Sequence, residues 1–561
     1  MTTRAPAEFA IVPLVARSAL VLLTAALLIV GCNRQADMTP VVQAIDAHLA
    51  NPPEMPTPIR TEVAAVYEAL GRAPLWLDLY GKPSEDARVA LEMIGAAADE
   101  GLDPTDYDAD SLSSQSAALG TRRTLDPAAA AQFDAGLTRA TLTYLRHLHH
   151  GRVNPRDFGY RIADKADEHD FPSVLRTAVV EHRLKEEAAA LSPQLGFYSA
   201  LKTQLATYRR LAQDTSLVPP AAPRASIKPG GTYAAANDLQ RLLIALGDMP
   251  ADTPSPGTAY RGALVEGVKS FQRRHSVKDD GVLGASTVTA LQVPLSARVR
   301  QIELSLERLR WLPQHLGTGP VIAVNIPMFR MWAWDALTPG SMPDLEMGVI
   351  VGKALENETP VFIEQMTTVV FRPYWNVPES IVAEEILPAI EKNADYLRRN
   401  DMEIVDGQSD AAKIVDTSGD AVERLERGEL RLRQRPGTGN SLGLVKFVFP
   451  NDASVYMHGT PATQLFDRAR RDFSHGCVRV EDPVALAEWV LRDKAFSREQ
   501  VLQAMEGSED SKSVQLSTPV EVLLFYVTAL TTPGDDRIQF ADDIYMSDAK
   551  LAAALAAHPN S

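Results

Sequence analysis

The sequence predicts a multidomain α+β chain: a helical N-terminal region and a small three-helix domain, followed by a mainly β, sandwich- or barrel-like domain with a helical insertion. Three observations predict it. The chain has 561 residues, 45% of them hydrophobic, enough for about three or four domains of roughly 100–200 residues. In the first half the apolar residues recur at helical spacing, as Leu142, Leu145 and Leu148 do, and again Leu201, Leu205 and Leu211. After a helix near Ser296–Trp311 the texture changes to short β-branched runs separated by turns.

The elements follow in order. Arg4 and Arg17 precede an apolar run, Ala19 to Val30, too short for the roughly 20 residues of a membrane span. Residues 1–31 therefore read as a signal peptide and 32–60, polar and dotted with proline, as a tether. Residues 61–213 read as a helical scaffold. Its His147, His149 and His150 have no carboxylate or cysteine nearby to complete a ligand set, so they read as a solvated helix end with Gly151 as the stop. Pro219, Pro220, Pro223 and Pro229 break any helix in the linker 214–231.

Residues 232–293 form a compact unit. Leu239, Leu242, Leu243 and Leu246 make one apolar face, and Leu264, Val268 and Phe271 a second. The second helix runs into Gln272-Arg-Arg-His275, then the turn Asp280-Gly-Val-Leu-Gly284. A connecting helix occupies 294–318. Strands are expected at 321–326, 347–351, 369–371, 445–449, 455–457 and 520–527 within a last domain, 319–555. The insertion at about 380–435 begins with Ile381, Val382, Ile386, Leu387 and Ile390 on one face of an amphipathic helix.

Lys and Arg number 56 against 72 Asp and Glu, a formal charge of −16. With no basic block to meet phosphates, no nucleic acid is expected as a partner. The two cysteines are Cys32 and Cys477. Ile29-Val-Gly-Cys32 resembles the bacterial lipoprotein box, which implies cleavage before Cys32 and acylation there; the alternative is an ordinary signal peptide with a chance cysteine. With Cys32 lipidated, Cys477 has no partner, and an unpaired thiol in an exported protein points to catalysis.

The neighbours of Cys477 carry the chemistry. A thiol attacks as thiolate, and its ordinary pKa of about 8.5 leaves little thiolate at neutral pH. The segments His458-Gly459-Thr460 and Ser474-His475-Gly476-Cys477-Val-Arg479 supply what it needs. His458, at the end of a strand, can serve as base, and the Gly476 and Cys477 N–H groups are expected to line an oxyanion pocket. Asp482-Pro483 reads as the cap and first position of a helix whose positive end favours the thiolate.

These two segments resemble the signature of the L,D-transpeptidase (YkuD-like) catalytic domain. Other matching pieces are Val349 to Lys353 with Thr359-Pro360, Tyr374-Trp-Asn-Val-Pro378, and Pro436 to Asn440 before Leu444. Residues 232–293 resemble the three-helix peptidoglycan-binding domain, a generic helical spacer being the alternative. Together they resemble the large-enzyme branch, in which the insertion is lid-like. The resemblance implies Cys477 as nucleophile and His458 as general base and acid, with Ser474, His475 and Gly476 shaping the turn and oxyanion pocket. Arg479 is expected to bind a substrate carboxylate or to brace the turn, a plain structural salt bridge being the alternative, and Gly459, Tyr456, Trp375 and Asn376 to contact substrate. The orienting partner of His458 is left open, a backbone carbonyl being one candidate.

The implied reaction transfers the acyl group of a peptidoglycan stem peptide to an amine, giving a 3→3 cross-link. No metal and no organic cofactor is expected. Water as acceptor would make an L,D-carboxypeptidase, and a protein amine a wall-attaching acyltransferase. A rival of another class is a non-catalytic lipoprotein tether. Asn33 in place of Asp after Cys32 points to a periplasmic protein lipid-anchored in the inner leaflet of a Gram-negative outer membrane, with other wall-synthesis proteins as candidate partners.

Overall fold

The computed structural model describes residues 35–50, 56–162, 169–314, 316, 318–338, 340–417, 419–494 and 496–557. The expected signal peptide and the Cys32 anchor lie outside them. Among the described residues no helix is long and apolar enough to cross a membrane.

The N-terminal helices, from Thr39–Ala50 to Phe171–Val180 and Leu184–Leu191, surround one central helix, Pro127–His150. Asp126 caps it by accepting the Ala129 N–H, with Pro127 at the first position. Buried Asp134 accepts the Tyr67 hydroxyl at 2.6 Å and the N–H groups of Leu75 and Trp76 at 3.0 and 2.8 Å, which ties the loop before Glu85–Gly95 to the central helix. The helix stops at Gly151, whose φ is +82°; a Cβ there would lie 2.6 Å from Glu307 Oε1, so glycine lets the helix Leu295–Arg310 approach.

The histidines at this helix end are not solvated as the sequence suggested. His147 and His149 are buried, His147 Nδ1 lies 2.9 Å from the Tyr107 hydroxyl, and the His149 ring packs edge-on against His150 and His169. The helix end that a linear reading leaves in water is covered by segments distant in sequence.

The small domain has the three expected helices, Ala236–Ala245, Ala263–Arg274 and Ala285–Leu291, around Leu239, Leu243, Leu264, Val268 and Phe271. Gln272 explains the fixed spacing to the glycine turn. Its Oε1 accepts the Gly281 N–H at 2.8 Å while its Nε2 donates to Val282 O and to Thr287 Oγ1, clamping a turn in which Gly281 has φ +69°. The other side of this helix docks on the last domain. Arg274 forms a buried bidentate pair with Asp248 and donates to Ile538 O at 2.6 Å. Phe540 is sandwiched by His275, Tyr208 and Arg298.

The last domain is built on a nine-stranded sheet. Its strands are β1 (Val321–Asn325), β2 (Arg330–Trp334), β3 (Leu345–Gly352), β4 (Phe362–Phe371), β9 (Val445–Val448), β10 (Met457–His458), β11 (Asp472–Ser474), β12 (Val478–Val480) and β13 (Lys512–Phe525). The order β3-β12-β10-β9-β4-β13-β1-β2 closes on itself because β2 also pairs with β3, which makes a barrel. The same edge of β3 then continues onto β11: the N–H groups of Val349, Val351 and Lys353 donate to Phe329, Arg471 and Ser474. A hairpin, β14 (Ala529–Thr532) with β15 (Asp535–Phe540), carries the Ile538 and Phe540 contacts just described.

The insertion is more than helical. Its first segment is a helix, as expected, though Val382–Ile386 takes a π turn between Glu379–Ile381 and Leu387–Lys392. It continues into a four-stranded sheet of β5 (Trp375–Asn376), β8 (Arg431–Gln434), β6 (Met402–Asp406) and β7 (Lys413–Val415). Ile381, Val382, Ile386, Ile404, Leu425 and Leu432 give this unit a separate core. The short strands of three to five residues have too few alternations to be read from sequence.

Candidate active site

Strand register assembles the site. In the parallel pair β10–β12, Met457 lies opposite Val478 and His458 opposite Arg479; in the antiparallel pair β10–β9, His458 lies opposite Lys446. Side chains alternate along a strand and paired residues share a face. Met457, Val478 and Phe447 therefore fill the barrel, all fully buried in its core. Tyr456, His458, Arg479 and Lys446 stand on the opposite face, with Cys477 one alternation before Arg479. His458 is thus flanked across the sheet by two cations.

Cys477 is partly exposed at the end of the turn that leads from β11 to β12. The Tyr456 N–H and hydroxyl act on its sulfur as donors. Burial nevertheless holds the thiol above its ordinary value, opposed by Tyr456 and by the charges of Lys446 and Arg479. His458 is buried and held down to about 3, first by burial and then by Arg479 and Lys446. Its Nδ1 donates to the Gly459 carbonyl at 2.6 Å, so a backbone carbonyl orients the ring and leaves Nε2 as the basic nitrogen. Gly443, with φ +66°, lets the chain pass under Gly459: a Cβ there would lie 2.8 Å from Gly459 C and Thr460 N.

The turn is held from inside. Ser474 Oγ donates to the Cys477 carbonyl and accepts the Gly476 N–H at 3.2 Å. This corrects one expectation: the Gly476 N–H is used within the turn and does not face an oxyanion pocket. The Cys477 N–H has no hydrogen bond among the described residues. Gly476, at φ +106°, presents its carbonyl to buried Thr359, whose Oγ1 donates to it at 2.8 Å and accepts the Gly352 N–H at 2.8 Å. Tyr545 closes the circuit: its hydroxyl accepts the Thr359 N–H and donates to Gly352 O. Downstream, Asp482 accepts the Val484 and Ala485 N–H groups and Pro483 opens the helix, as the sequence predicts.

The remaining expected residues divide. His475 points away from the thiol to Glu385 of the insertion, with Nε2 and Oε1 2.6 Å apart. Arg479 makes no ion pair among the described residues, and its Nε is buried without a hydrogen-bond partner there. Trp375 and Asn376 form β5 and pair with Gln434 and Arg433 in the insertion sheet. No hydrogen bond or ring contact among the described residues joins them to Cys477 or His458. Sequence reasoning passed over Lys446, Tyr545 and Glu385. For Lys446 a signal existed, a lysine in the middle of the apolar strand Val445–Phe449.

Residues 319–522 match the family model of the L,D-transpeptidase catalytic domain, YkuD. The chain carries a YkuD L,D-transpeptidase catalytic domain. Residues 233–291 match the model described as "Putative peptidoglycan binding domain", and 61–205 that of a scaffold domain. A Haemophilus influenzae protein described as "Putative L,D-transpeptidase" is 30% identical over 256 residues, 46% of this chain and 49% of that protein. The chain thus spans about half the length of this curated relative. A crystal structure of the L,D-transpeptidase from Xylanimonas cellulosilytica aligns with 55% of this chain and all of that chain at 16% identity and a TM-score of 0.16, a likeness that carries no argument.

Proposed function

We propose that the protein is an L,D-transpeptidase that forms 3→3 peptidoglycan cross-links through a thioester on Cys477. The observation that carries this reading is the single sheet face shared by Cys477, His458 and Tyr456 within a domain of this family. Cys477 Sγ attacks the carbonyl carbon of residue three of a tetrapeptide stem while His458 Nε2 takes the thiol proton. The tetrahedral intermediate collapses with cleavage of the C–N bond, and His458 returns the proton to the departing D-alanine amine. A side-chain amine of a second stem then attacks the thioester and gives its proton to His458. The C–S bond breaks, an amide forms, and the thiol is restored. The Cys477 N–H is the free donor placed to meet the oxyanion.

The test is incubation of the purified protein with tetrapeptide muropeptides, read by mass spectrometry. Cross-linked dimers with released D-alanine are expected. D-alanine without dimers would indicate water as acceptor and a carboxypeptidase, and unchanged muropeptides would overturn the enzymatic reading.

Thr359→Val is expected to cost about 2 kcal/mol of stability, because it leaves the buried Gly476 carbonyl and Gly352 N–H unpaired. It should also slow D-alanine release about tenfold through misplacement of the turn. Thermal unfolding and the release assay check the two parts, and an unchanged rate would show that the circuit does not position Cys477.

We also propose that the chain is held at the periplasmic face of the outer membrane by acylation of Cys32. The expected result is a mature membrane-extracted protein that begins at Cys32 and carries acyl mass; an unmodified N-terminus would overturn it.

A further inference from the structure

Lys446 is the least expected member of the site. It sits in β9 between Val445 and Phe447, both fully buried, and opposite His458. Its Nζ lies 3.8 Å above the centre of the Tyr456 ring, and the Tyr456 hydroxyl acts on the Cys477 sulfur. On the other side of His458, Arg479 occupies the matching position in β12. The row Val370, Lys446, His458, Arg479, Ile350 thus crosses five strands, apolar at both ends and cationic around the imidazole.

Neither cation has a carboxylate within ion-pair distance among the described residues. The acid that acts on Lys446 is Asp410, on an exposed loop of the insertion, and it ranks behind burial and Cys477. The buried Nε of Arg479 has no acceptor. Two half-buried cations left uncompensated are costly unless an anion joins them. Burial lowers the affinity of both for their protons, which marks the same unmet demand.

We infer that Lys446 and Arg479 together form a carboxylate site for the residue that leaves, and that Lys446 makes the enzyme select stems ending one residue beyond the scissile carbonyl. The inference rests on the transpeptidase reading and deepens it. One residue spans about 3.8 Å along the chain. In a tetrapeptide stem the terminal carboxylate therefore lies beside the attacked carbon, within reach of cations that flank the base on the face of the nucleophile. A stem extended by a further residue, or capped as an amide, brings no charge to this place. A point charge from Lys446 beside the fork of Arg479 suits a carboxylate that must be gripped and then released.

The test compares a tetrapeptide donor having a free C-terminal carboxylate with the same donor as its C-terminal amide. The full chain serves as enzyme, and kcat/KM is read from release of D-alanine or D-alaninamide. The wild type is expected to favour the acid by about 100-fold or more. Lys446→Met should cut the acid-over-amide preference in kcat/KM about tenfold or more, mostly through KM for the acid, beyond the change that loss of its charge beside His458 and Cys477 brings to both donors alike. Lys446→Arg should retain the preference. An equal loss on both donors in Lys446→Met would overturn the assignment, since a field on the thiol or a packing role would act on both. Equal release from acid and amide by the wild type would overturn the carboxylate site and leave the transpeptidase reading standing. Release from neither would remove that reading and the inference with it.

Discussion

Cys477→Ala is expected to lower D-alanine release from tetrapeptide stems by about 10⁴-fold or more and to leave the fold intact. The loss is large because the proposed intermediate is a thioester, which needs the Cys477 thiol, and Tyr456 on the same face is held protonated far above its ordinary range by burial. The fold should be indifferent, because the turn is held by Ser474, Gly476 and Thr359 through main-chain atoms. Unfolding free energy is expected to change by less than about 0.5 kcal/mol. Intact-mass measurement during turnover should show the thioester on the wild type and none on the variant. Residual release above one per cent would place the nucleophile elsewhere.

Alkylation of the resting enzyme by iodoacetamide is expected to rise about tenfold per pH unit from pH 6 to 9, about 10³-fold in all, with no plateau. Burial keeps the thiol above its ordinary value, so the thiolate fraction grows throughout this range. His458, held down to about 3, is neutral in the same range and supplies no imidazolium to stabilise the thiolate at rest. The sign for turnover follows. The imidazole loses its basic lone pair only as pH falls toward about 3, so kcat/KM should stay flat from pH 8 to 5. A base at the ordinary histidine value would lose about tenfold between pH 6.5 and 5.5. A plateau of fast alkylation below pH 7, or an acid limb in kcat/KM near 6.5, would mean that Cys477 and His458 rest as an ion pair.

The sequence was most legible where the chemistry is local. His458-Gly459-Thr460 and Ser474 to Arg479 lie within strands and a turn whose alternation can be read directly, and Asp482-Pro483 marks its helix by side-chain type alone. What could not be read depends on partners far along the chain. Glu385 reaches His475 across 90 residues, and Tyr545 reaches Gly352 across 193. The histidines at 147 and 149 look solvated until Tyr107 and His169 are folded over them. The role of Lys446 needs the register of three strands, which no single segment contains. The insertion sheet and the hairpin of β14 and β15 were missed because strands this short carry almost no periodic signal.

The docking of the small domain has a mechanical consequence. Buried Arg274, paired with Asp248, donates across the joint to the Ile538 carbonyl, half-exposed Arg537 reaches Asp248 from the other side, and Phe540 is wedged between His275 and Tyr208. Separating the two bodies would strip the buried Arg274 guanidinium of the Ile538 carbonyl and bring Phe540 into water, so the proline-rich segment 214–231 behaves as a strap and not a hinge. A fixed span results between the small domain, which is similar to a putative peptidoglycan-binding domain, and the Cys477 sulfur. If the proposed transpeptidase reading holds, the molecule is a caliper, and the spacing of its links is written into its own dimensions.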